Sequence, residues 1–131
     1  MDKIKHLQEW IKQADYDIET AQVMWESGRY IYCVFMCHLS VEKALKALYV
    51  KNLLKNPPKV HNLIYLVQNV NLKLPLPMRD FLENLNEVSI PTRYPAELEK
   101  LLKEYGKERT RAIFDKSKEV LEWLKEESKR Q

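Results

Sequence analysis

Apolar residues near the start of the chain recur at alternating intervals of three and four: Ile4, Leu7, Ile11, Ala14, Ile18, Ala21 and Trp25. That alternation places them on one stripe of a helix and predicts a helix from about Lys3 to Ser27. Gly28 follows, where a left-handed C-terminal cap favours a residue without a β-carbon. A second helix must then begin within a very short turn, so the two run antiparallel.

The second segment, Arg29 to Lys55, has a different pattern. Phe35, Met36, Leu39, Val41, Ala44, Leu45 and Leu48 cover most of the circumference of the helix they would form. All-round hydrophobicity marks a central, buried helix. Within it His38, Glu42 and Lys46 are spaced four apart and stack as one narrow polar seam. Pro57 and Pro58 stop this helix, because proline cannot continue one.

Shorter periodic segments follow. Leu63, Ile64, Val67 and Val70 predict a helix from about His61 to Asn69, and Met78, Phe81, Leu82, Leu85 and Val88 predict another from Pro77 to Val88. Ser89–Pro95 is a loop confined by two prolines. Residues 96–105 have room for one or two helical turns before Gly106. A last helix runs from about Lys107 to Lys129, with Ile113, Val120, Leu121 and Leu124 on its inner face. No alternating apolar–polar run is bounded by hairpin turns, so no sheet is expected. The fold class is all-α: an antiparallel up-and-down bundle of four to five helices, forming one domain over residues 1–131.

Composition narrows the partners. The chain has 131 residues, of which 45% are hydrophobic and 31% charged, with a net charge of +3. That balance suits a globular domain and lacks the dense positive charge of a dedicated duplex binder. Cys33 and Cys37, one turn apart, read as small buried apolar residues rather than a disulfide. The apolar runs are too short to span a bilayer, and the N-terminus does not resemble a secretory signal. A cytoplasmic location away from the membrane is the expectation. No metal-ligand cluster, cofactor motif or glycine-rich phosphate loop occurs.

Candidate chemistry reduces to the seam and the loop. Glu42 precedes Lys46 in the favourable order for a helical ion pair, and the plain reading is a solvated stripe. His61 would help cap the third helix. Arg93 and Tyr94 sit between prolines. An arginine held there binds phosphate or braces the bundle through a carboxylate such as Glu42, and a tyrosine stacks on a base. The central helix also looks too apolar for its neighbours to cover. Tyr30, Tyr32 and Phe35 would then serve a subunit interface.

An ordered set of segments resembles the HEPN domain: Trp10 with Ala14 and Asp17, GRYIYCVFMCHLSVEKALKALYV, VHNLIYLV, PTRYP and VLEWLK. The resemblance implies a helical bundle that commonly dimerises. It also implies frequent pairing with a minimal nucleotidyltransferase in toxin–antitoxin-like or regulatory systems. Many members are metal-independent ribonucleases in which an arginine is followed by a histidine after four to six residues. No arginine here has a histidine at that spacing, and Arg29 reaches His38 only after eight. The expectation is therefore a homodimeric binding module for a nucleotide, RNA or the partner nucleotidyltransferase, with Glu42, Lys46, Arg93 and Tyr94 lining its cleft. The alternative is a ribonuclease with an altered site, in which His38 or His61 acts as base.

Overall fold

Gly28 sets the topology. Its φ of +78° lies in the left-handed region, which a side chain would strain. Gly28 N–H donates to the Trp25 carbonyl at 3.1 Å and Arg29 N–H to Met24 at 2.7 Å, closing a Schellman cap. The computed structural model describes residues 3–93 and 97–130. The cap joins α1 (Lys3–Glu26) to α2 (Tyr30–Leu53) in an antiparallel hairpin. α3 (Leu63–Asn69), α4 (Leu76–Ser89), a 3-10 turn (Ile90–Thr92), α5 (Leu98–Glu104) and α6 (Lys107–Lys129) follow. The described residues contain no strand.

Polar contacts fix how the long helices lie. Ser40 Oγ donates to the Ala14 carbonyl at 2.7 Å, and Lys43 pairs with the buried Asp17 at 2.9 Å, so α1 and α2 pack closely at small residues. Burial raises the Asp17 pKa, and the Lys43 ammonium opposes that rise. Trp25 Nε1 donates to the Lys107 carbonyl, whereas Lys125 pairs with Asp15. The start of α6 therefore meets the end of α1 and the end of α6 meets its middle, so α6 runs antiparallel to α1. Leu45, Leu48, Leu63, Leu66, Leu82, Leu85, Leu121 and Leu124 form the centre of the core.

α2 is central, as its pattern predicts, and neighbours within the chain cover its C-terminal half. Every residue from Ala44 to Val50 is buried. Nearer its start Ile31, Met36 and Leu39 are half-buried, so the C-terminal half of α2 is covered more fully than its beginning. Of the three aromatics assigned to an interface, only Tyr32 is well exposed, at 57%; Tyr30 and Phe35 are half-buried. The two cysteines are free and buried. The hydrogen bond that the Cys37 thiol donates to Cys33, together with burial, pushes its pKa well up, so it lacks the thiolate character of a reactive cysteine.

Other boundaries shift for local reasons. α2 stops at Leu53 because Leu54 turns left-handed, three residues before Pro57. The heptad stripe of α1 is buried only from Ala14 onward, and Ile4 is exposed. Residues 98–104 form α5, whose last turn leads into Tyr105. The Tyr105 hydroxyl donates to the Val88 carbonyl and ties the segment to α4. This adds a sixth helix to the expected four to five. Tyr94 lies outside the described residues.

Candidate functional site

The polar seam of α2 is not a solvated stripe. His38, Glu42 and Lys46 are 1%, 3% and 6% exposed. An unpaired buried carboxylate is costly, so its partners should converge on it, and they do. Lys46 Nζ donates to Glu42 Oε2 at 3.0 Å. His61 Nδ1 lies 3.1 Å from both carboxylate oxygens. Arg93 Nη2 is 3.9 Å from Oε1, and His38 Nδ1 is 3.7 Å from it. One carboxylate thus gathers residues from α2, the approach to α3 and the turn after α4.

Short-range structure places each partner. Asn62, rather than His61, caps α3: its Oδ1 accepts from Ile64 N at 3.0 Å and Tyr65 N at 3.1 Å. That cap leaves the preceding His61 side chain to reach Glu42. Asn86 of α4 donates to Asn62 Oδ1 at 2.8 Å and accepts from Leu63 N at 2.9 Å, locking the cap to α4. The 3-10 turn presents Arg93, whose own N–H donates to the Ile90 carbonyl at 3.0 Å. The Arg93 guanidinium lies 4.7 Å from the centre of the Phe35 ring, a cation–π contact.

Hydrogen bonding fixes the proton on His38. Arg93 Nη2 is 2.7 Å from His38 Nδ1, and a guanidinium can only donate. Nδ1 therefore accepts, and Nε2–H donates to Asn86 Oδ1 at 3.3 Å. Burial, and then the Arg93 charge, lower the His38 pKa to about 4 against the pull of Glu42. His38 is a neutral bridge with both ring nitrogens engaged. His61 is its opposite. Its side chain is 64% exposed, its Nδ1–H donates to Glu42, and among the described residues its Nε2 has no hydrogen-bond partner.

These groups line a cleft of about 500 Å³. Arg93, His61 and His38 line it, together with Glu83, Asn86 and Glu87 of α4. Glu83 lies 3.7 Å from Arg79. The buried cluster places two cations, Lys46 and Arg93, around the single carboxylate of Glu42. Of these two cations only Arg93 lines the cleft, where it suits an anion, and the Glu83 and Glu87 carboxylates in the same lining accept from hydroxyl or amine groups.

Of the residues singled out in the sequence, the structure brings His38, His61, Glu42, Lys46 and Arg93 together. Lys46 meets Glu42 from the side away from the cleft and does not line it. Sequence reasoning missed Asn62, Asn86 and the use of Phe35 as a platform for Arg93. The capping role of Asn62 was legible from its place before an apolar run. Nothing local marks Asn86. Among the described residues no group of three or more His, Cys, Asp or Glu side chains could hold a metal, and no helix is long and apolar enough to cross a membrane.

The family model of the HEPN domain matches residues 7–127. The crystal structure of TT1696 from Thermus thermophilus is similar, with a TM-score of 0.78 and 21% identity, over 92% of this chain and 96% of that one. ST0689, an archaeal HEPN homologue, has a TM-score of 0.75 and 23% identity, over 94% of this chain and 98% of that one. The search of curated proteins finds no match.

Proposed function

The chain belongs to the HEPN domain family, and from that premise we propose that it is a binding module for a phosphate-bearing nucleotide or RNA. One observation carries the reading: a single buried carboxylate, Glu42, holds the Arg93 guanidinium and the His61 imidazole at the edge of an open cleft. Groups held in place before the ligand arrives lose less entropy on binding. Arg93 supplies a planar charged donor for phosphate. Glu83 and Glu87 in the same lining favour a ligand that also carries sugar hydroxyls or a base amine over a bare phosphate. Tyr94, four residues after Ile90, belongs to this proposal as a stacking group. Lys46 acts through Glu42.

In this reading the module works as a homodimer, for which exposed Tyr32 is available, and beside a minimal nucleotidyltransferase in a regulatory or toxin–antitoxin-like pair. Calorimetry with nucleoside monophosphates and with a single-stranded RNA tests the ligand class. Saturable binding that Arg93→Ala weakens at least tenfold supports it, and no saturable binding to any of them contradicts it. Sedimentation as a monomer at high micromolar concentration contradicts the dimer.

A second reading, a metal-independent ribonuclease, draws on the Nε2 of His61, which has no hydrogen-bond partner among the described residues. A histidine whose Nδ1–H is held by a carboxylate can take a proton at Nε2, as removal of a 2′-hydroxyl proton requires. Arg93 would stabilise charge on the phosphate. His38, with both nitrogens engaged, would position Arg93. Cleavage of single-stranded RNA by wild type, abolished in His61→Ala, supports this reading; intact RNA contradicts it.

A further inference from the structure

Behind the Glu42 cluster lies a second cleft that the proposed function does not use. It has a volume of about 440 Å³ and is lined by Trp10 and Gln13 of α1, Lys46 of α2, and Asn56, Pro58 and Lys59 of the segment after α2. The Lys46 ammonium lies 5.7 Å from the Trp10 ring centre, so Lys46 joins the two clefts: one side of its head meets Glu42, the other meets the indole. Glu42 Oε2 accepts from Lys46 on one side and from His61 on the other. The chain itself also connects the clefts. Lys59 lines the second and His61 the first, with only Val60 between them, which separates them by at most about 7 Å of backbone.

The chemistry of the second cleft is that of a base slot. An indole offers a flat apolar face on which any nucleobase can stack. Gln13 and Asn56 carry both donors and acceptors, which matches the mixed edges of bases. Lys59 supplies a charge for the backbone phosphate. The one carboxylate in the lining, Glu9, accepts from Gln13 at 3.2 Å and is outnumbered there by two lysines, Lys46 and Lys59, a balance that disfavours a free cationic ligand.

Resting on the nucleotide-binding reading, we propose that the ligand is a single-stranded RNA spanning both clefts. Its phosphate sits between Arg93 and His61, and a neighbouring base stacks on Trp10. A mononucleotide would occupy the first cleft alone. The inference commits the protein to a strand longer than one nucleotide.

The test measures the affinity of a single-stranded RNA decamer and of uridine 5′-monophosphate for wild type, Trp10→Ala, Trp10→Phe and Arg93→Ala. Trp10→Ala should weaken decamer binding about tenfold, Trp10→Phe should recover most of it, and neither should change mononucleotide binding. Decamer binding unchanged in Trp10→Ala but lost in Arg93→Ala overturns the slot and leaves the first cleft standing. Loss in Trp10→Ala without loss in Arg93→Ala supports the slot and overturns the first cleft. Ultraviolet crosslinking of a decamer containing 5-iodouridine gives a readout in the wild-type protein. Mapping of the adduct to Trp10 supports the proposal, and mapping elsewhere overturns it.

Discussion

Arg93 Nη2 donates to His38 Nδ1 at 2.7 Å, so a residue of the turn after α4 fixes the tautomer of a residue buried in α2. The bond exists only while His38 is neutral at Nδ1, and burial first, then the Arg93 charge, keep it so by lowering its pKa to about 4. Protonation would place two positive groups face to face in a site with little water.

The sign of the pH effect follows. His38 titrates at about 4 in the folded chain and near its ordinary value of 6.5 when unfolded, so the unfolded chain binds more protons between those values. Stability therefore falls as pH drops from 6.5 towards 4, by about 3 kcal/mol from this group. Urea denaturation across that range should show the loss in wild type and a shallower one in His38→Asn. Equal slopes would mean that His38 ionises at its ordinary value.

Removing Arg93 should partly release His38. In Arg93→Ala the second cause of the depression is gone and burial remains. The His38 ring signals, followed by NMR, should titrate above 4 but below 6.5. An unchanged midpoint would show that the guanidinium does not act on His38.

Glu42→Ala should be among the more damaging single changes. It leaves Lys46, itself 6% exposed, without its carboxylate, and takes the shared acceptor from His61. Breaking a buried pair in this way costs about 3 kcal/mol or more. A denaturation midpoint like that of wild type would mean that the cluster is well solvated.

The close approach of α1 and α2 is equally specific. Ala14 is fully buried, and its carbonyl accepts from Ser40 Oγ at 2.7 Å. Ala14→Leu adds volume where there is none and should cost about 1–3 kcal/mol. Thermal unfolding checks it, and an unchanged midpoint would place a void there.

Much of this fold is legible from spacing alone. The Gly28 cap, the stripe of α1, the all-round apolar α2 and the inner face of α6 each declare themselves within one or two turns. The site does not, because its contacts are long-range. The spacing of His38, Glu42 and Lys46 is visible, but their burial depends on α3 and on the turn after α4, which no local pattern places over them. In the sequence His61 reads as a cap because it precedes a helix; Asn62, one residue on, takes that role and turns His61 towards Glu42. Asn86 carries no local signal at all, since its partners lie 48 and 24 residues away.

The most direct test of the Glu42-centred cleft as a ligand site is a titration of isotope-labelled protein with uridine 5′-monophosphate, following the side-chain nitrogen signals of His61 and Arg93. Both should shift together and saturate at one ligand per chain, while the cysteine-lined core stays unchanged. Saturable binding that leaves both side chains unmoved would contradict the account.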